Sequence, residues 1–209
     1  ELLALRRHEL SRETDGERRL SLRLAIAALL GEAGQPDAQI AALQESLAER
    51  RGHRETVDAL AAVLTLQGRH AELEAALARE AEAVEEAGDD RAAARLWAEA
   101  ARVAESPVGD VPRAIQALSR AAALAEDPAV LDALARLEAG RGERMRVVDW
   151  LERRLAIARP DERVDVTLRL GPALIATGQR ARAREVLQAA FDEAPGRTDV
   201  LTLLARLLR

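Results

Sequence analysis

Five glycines frame this chain: Gly34, Gly68, Gly109, Gly142 and Gly178, separated by 34, 41, 33 and 36 residues. Each stands between two stretches of helix length in which apolar residues recur every three or four positions. Glycine takes up the left-handed backbone conformation that ends a helix, so the spacing predicts a series of helix pairs, each closed by a tight turn. Units of this length cannot bury an apolar face alone and must stack on their neighbours. Composition agrees: 46 Ala and 33 Leu among 209 residues favour helix, and strand formers are too scarce for an all-β or α/β fold.

The clearest unit reads Thr167-x2-Leu170-Gly171-x2-Leu174, then Gly178, then Ala183-x3-Leu187, Ala190 and Pro195. The same frame places Val57, Leu60, Ala61 and Leu64 before Gly68, with Leu73 and Leu77 after it. Trp97, Ala100, Ala101 and Ala104 precede Ala114, Leu118 and Ala121, and Leu131, Leu134, Ala135 and Glu138 precede Gly142, Val147 and Leu151. A first unit has Ile26, Ala27, Leu30, Gly34, Gln39 and Leu43, and a last half-unit has Leu201, Leu204, Ala205 and Leu208. This order of small and large residues resembles the tetratricopeptide (TPR) pattern W-x2-L-G-x2-Y…A-x3-F…P, a helix-turn-helix unit of about 34 residues. Small residues let paired helices approach and large ones fill the gap between them. Five places depart from the pattern: Gln39, Leu73 and Val147 stand where it prefers Ala, and Glu80 and Arg154 where it prefers a second small residue.

The expected fold is therefore all-α, a right-handed solenoid of about five TPR-like repeats (17–53, 54–88, 89–127, 128–160, 161–197) with partial units 1–16 and 198–209. Residues 1–209 read as one domain cut from a longer chain. Twelve helices are predicted: 1–13, 17–31, 37–50, 54–67, 70–87, 90–105, 112–125, 128–139, 143–158, 161–177, 180–194 and 198–209. Asp89, Asp127 and Thr198 are helix-start signals. The 41-residue spacing exceeds 34 by seven, two helical turns, which are assigned to helix 70–87; it should project beyond its neighbours. Leu201, Leu204, Leu207 and Leu208 on the last helix need covering.

Charge and residue usage exclude much chemistry. All 31 basic residues are Arg, and without Lys or Cys there is no Schiff base, P-loop lysine, disulfide or thiolate. Net charge is −5, against a general nucleic-acid binder, although residues 141–209 hold 14 Arg to 10 acids while 72–105 hold 4 Arg to 10 acids. The longest apolar run, Leu24 to Leu30, is seven residues, too short to span a bilayer. His8, His53 and His70 lack metal-ligand spacing, and no cofactor, metal or catalytic group is expected. Missing Lys, Asn and Tyr point to a GC-rich bacterial genome, and missing Cys to the cytoplasm.

The TPR resemblance implies a groove lined by the first helix of each unit that grips a peptide or partner helix. Carried over by position, the groove residues are Glu55, Asp58 and Thr65, then Arg95 and Arg102, Asp132 and Arg136, and Leu168 and Ile175. Lacking Lys and Asn, the chain has no usual form of the carboxylate clamp that grips chaperone tails. Pro172, inside a predicted helix after Gly171, should kink it near 168–172. Trp150, beside Arg153 and Arg154, is either an interface hot spot or a core residue. The expected function is a non-enzymatic protein-interaction scaffold. Alternatives are a regulatory or sensor arm of a multidomain bacterial signalling protein, a structural module that self-associates through its terminal helices, and an RNA-binding repeat relying on the Arg-rich end.

Overall fold

The structure, a computed structural model, describes residues 1–207. Among them lie twelve α-helices and no strand: α1 (Leu2–Arg12), α2 (Gly16–Glu32), α3 (Pro36–Glu49), α4 (Arg54–Leu66), α5 (His70–Glu86), α6 (Asp90–Val103), α7 (Val111–Leu124), α8 (Pro128–Gly140), α9 (Arg144–Ala156), α10 (Pro160–Ala176), α11 (Arg180–Glu193) and α12 (Thr198–Leu207). They fall into two compact units, Glu1–Ala117 and Leu118–Arg209, the division lying within α7. In the first, α1 to α5 each pack on the next helix in sequence, and α5 on α6. In the second the series runs from α8 to α12, with α10 also touching α12. Both are all-α, tetratricopeptide-like stacks of helix pairs.

One hydrogen-bonded turn recurs through the array. The glycine N–H of Gly34, Gly68, Gly142 and Gly178 bonds the carbonyl three residues back, and the N–H after it bonds the carbonyl of Leu30, Leu64, Glu138 or Leu174 at 2.8 to 3.0 Å. All four glycines have positive φ, 67° to 78°, the helix-ending geometry their spacing predicts. Leu30, Leu64, Glu138 and Leu174 close the first helix of their repeat pattern, so the turn and the core pattern share one register. Aspartates cap several helices: Asp15, Asp89, Asp110 and Asp127 each accept a backbone N–H from the following turn.

The seven extra residues between Gly68 and Gly109 are not all in α5. That helix has 17 residues, three more than α3. The α6–α7 connection, 104–110, is four residues longer than the connection 67–69. It contains an irregular segment, Ala104–Val108, where Ser106 is extended (φ −155°, ψ 119°) and Ser106–Pro107 is cis. Ala104 stands where Leu64 and Leu174 stand in their units, and its carbonyl still accepts the N–H of the residue after the glycine, Asp110, at 2.8 Å. The connection takes four of the extra residues while the turn keeps its bond.

Each of the five departures from the repeat pattern has a local explanation. The Gln39 amide fills space beside Gly31, where a Cβ would stand 2.8 Å from it. Leu73 is buried and Val147 half-buried against the cluster of Ala135, Val148, Leu151, Leu170, Leu174 and Ala183. Glu80 and Arg154 are buried charged groups, paired with Arg51 and Asp132 respectively. At Gly171 a Cβ would meet Leu187 at 3.0 Å, so the small residue there is required by helix approach within its unit.

One terminal expectation changes. Leu204 is buried with Val164, Leu187, Ala190 and Val200, and Leu203 and Leu207 pack against that cluster, so the chain itself covers this part of the apolar face of α12. Leu201 stays exposed, and Leu208 lies outside the described residues. Helix α10 continues through Pro172 to Ala176 as one 17-residue helix, so the proline does not interrupt it.

Candidate functional site

An open cleft of about 910 Å³ lies in the unit Leu118–Arg209, between α8 and α10 with α9 behind them. Ala129, Asp132, Ala133, Arg136 and Ala139 line one side, all on the face of α8 that recurs at i, i+3, i+4, i+7 and i+10. Arg169 and Pro172 form the α10 side, and Val147 and Leu151 of α9 contribute apolar lining. Both walls stand on regular helix, which fixes the backbone positions of the charged residues.

An ion network anchors the charges. Asp132 accepts Nε of Arg154 at 3.2 Å and is bridged by Nη1 of Arg169. Arg154, only 5% exposed, also donates Nη2 to Glu162 at 3.0 Å. Burial lowers the Arg154 pKa, but its bonds to Glu162 and Asp132 outweigh that and hold the guanidinium above its ordinary value. The Glu162 carboxyl is held below its usual range, first by Arg154 and then by the backbone N–H of Arg159. Arg154 Nη1 is buried and has no hydrogen-bond partner.

The cleft brings together Asp132 and Arg136 of the expected groove residues, with Pro172 on the opposite side. Leu168 and Ile175 are half-buried and pack against the apolar clusters of this unit. On α10 the cleft-lining residues are Arg169 and Pro172, one step along the helix from Leu168 and one turn further on. The sequence reading missed Arg169 because position alone does not say which of two adjacent helix residues a neighbouring helix covers. The alanines of α8 were missed because small residues carry no chemical label, although their i, i+4 spacing beside Asp132 is visible in the sequence.

Trp150 is half-buried against the cluster around Leu151 and Leu174, with the Arg153 guanidinium 5.2 Å from its ring centroid. Its Nε1 is buried without a partner. Its ring thus has an apolar cluster and a cation–π neighbour against it.

In the unit Glu1–Ala117, Glu55, Asp58, Thr65, Arg95 and Arg102 are all exposed on α4 and α6. Arg54 links these helices, donating Nε to Asp58 at 3.0 Å and pairing through Nη1 with Glu99 at 3.3 Å. Trp97 is buried and donates Nε1 to Glu85 at 3.0 Å. Among the described residues no group of three His, Asp or Glu is placed to hold a metal ion, and no helix is long and apolar enough to cross a membrane.

No family model matches the sequence, and none of the curated proteins is similar to it. Solved structures are similar in fold. A chain of nearly identical TPR-like repeats from Podosopora anserina is 20% identical, with a TM-score of 0.50 over 94% of this chain and all of that one. The TPR protein YrrB is 16% identical, with a TM-score of 0.49 over 87% of this chain and 89% of its own. MamA is 17% identical, with a TM-score of 0.49 over 83% and 91%. Recurrent glycine turns, the small–large helix pattern and the likeness to the Podosopora anserina repeat chain together make the chain a tetratricopeptide-like repeat protein in fold.

Proposed function

We propose that the chain is a non-enzymatic protein-interaction module that receives a segment of a partner protein in the cleft between α8 and α10. The observation that carries this reading is the cleft itself: about 910 Å³, open, lined mostly by apolar side chains, and bordered by Asp132, Arg136 and Arg169 on rigid helices. The alanines of the α8 wall let a partner backbone approach closely, and the few charges set its orientation. Glu55, Asp58, Thr65, Arg95 and Arg102 offer a second polar contact surface in the other unit. Asp132 is committed to ion pairs rather than poised as a base, which supports a binding role over a catalytic one. The cysteine-free composition supports a reducing compartment, the bacterial cytoplasm.

Photo-crosslinking tests the reading. A crosslinking residue at Ala133, inside the cleft, is expected to yield discrete adducts in extracts of the source organism, and the same residue at exposed Ala181 on α11 is not. Filling the cleft with Ala129→Trp is expected to abolish the Ala133 adducts. Equal adducts at Ala133 and Ala181, or adducts that survive Ala129→Trp, would sink it.

A further inference from the structure

The lining of the cleft is biased in charge. Its charged groups are Asp132 and Arg136 on the α8 side and Arg169 on the α10 side, two arginines to one carboxylate. That carboxylate is already held from behind by Arg154, whose side chain is 6% exposed and stays paired to Glu162 as well. Arg169 differs: its side chain is 45% exposed, and among the described residues its ion pair is with Asp132. If Arg169 turns away, Asp132 keeps Arg154 and is not left as an unpaired charge. The reverse does not hold, since Arg154 is buried and locked between two carboxylates. One guanidinium at the cleft is therefore exchangeable at small cost, and guanidinium forks pair best with planar carboxylates.

We infer that the cleft selects an acidic peptide, one that lays small apolar side chains along Ala129 and Ala133 and places an Asp or Glu carboxylate on Arg169. The inference rests on the cleft being a peptide site and adds the chemistry of its occupant. Asp132 contributes from the other direction: its carboxylate repels an acidic group placed too near α8, which sets the partner's register along α10.

Selection from a displayed library of random peptides of about 12 residues, on the whole 1–209 chain, tests this. Peptides retained by the wild type are expected to be enriched in Asp or Glu at one position, and the best of them to lose binding when Ala133→Trp or Ala129→Trp fills the cleft. Changing that acidic residue to its amide is expected to weaken binding about tenfold, and Arg169→Gln to remove most of the difference between acid and amide forms. Circular dichroism and thermal melts of each variant separate lost binding from lost fold. Cleft-dependent peptides without acidic enrichment overturn the inference and leave the peptide site standing. Failure to retain any peptide sensitive to both cleft-filling variants overturns both.

Discussion

The Glu80 carboxylate accepts the backbone N–H of Gly52, 28 residues earlier in the chain, at 2.9 Å, while its other oxygen takes Nη1 of Arg51 at 2.8 Å. Gly52 sits in the connection between α3 and α4, with φ of +67°, and a Cβ there would stand 2.3 Å from Cγ2 of Val84. A buried acid on α5 therefore clamps a glycine turn, where the repeat pattern asks only for a small residue.

Glu80→Ala is expected to destabilise the protein by about 1–3 kcal/mol, because it leaves the Gly52 N–H without its acceptor. Gly52→Ala is expected to cost more than Gly34→Ala. Gly34 has nearly the same φ, +68°, but open space around it. The left-handed backbone alone costs about 1–2 kcal/mol, and the clash with Val84 adds about 1–3 kcal/mol. Urea unfolding of the three variants measures this, and equal losses at Gly52 and Gly34 would remove the clamp.

Glu138 presents the opposite economy. It is wholly buried, and among the described residues Arg141 at 3.5 Å and Arg146 at 3.3 Å, both substantially exposed, balance its charge. Leu64 and Leu174 fill the equivalent place in other repeats and are equally buried. Replacing a buried ion by a hydrophobic residue of similar size is commonly neutral or stabilising. Glu138→Leu is therefore expected to hold or raise the thermal midpoint, and removal of Arg141 and Arg146 together to cost about 1–3 kcal/mol.

Acid sensitivity centres on Glu49. Its pKa is held down to about 2 from 4.5, first by Arg23 and then by Nη2 of Arg19 at 2.7 Å. The folded state thus favours the carboxylate, so this contribution is complete above about pH 4.5 and is lost as pH falls toward about 2. Wild type and Glu49→Gln are expected to differ in unfolding midpoint at neutral pH and to converge across that window. A difference that persists unchanged to pH 2 would show that Glu49 acts through packing alone.

Trp150 is expected to be a stability residue rather than a binding anchor. Trp150→Ala should cost about 2–3 kcal/mol, less than for a fully buried tryptophan, because one side of the ring is open to Arg153. Trp150→Phe should cost less than Trp150→Ala, since the buried Nε1 has no partner to lose. Neither should change the affinity of a cleft-bound peptide; a selective loss of affinity with unchanged stability would reverse the assignment.

Glycine spacing and the small–large order determined the helix number, most helix limits to within a few residues, and the register of the turns. These are local properties: a glycine that must adopt positive φ and an apolar stripe of fixed period act within one turn or one helix pair. The placement of the seven inserted residues was not readable, because α5 and the 104–110 connection are both long enough to take them and only packing apportions the extra length. Asp132 and Arg136 were legible as cleft residues from their place on α8, whereas Arg169 in place of Leu168 was not. Sequence marked Glu80 and Arg154 as charges at small-residue places of the repeat, but not that they are buried. Their burial depends on partners contributed by other segments, Gly52 and Arg51 for one and Asp132 and Glu162 for the other, and those meet only when helices distant in sequence pack together.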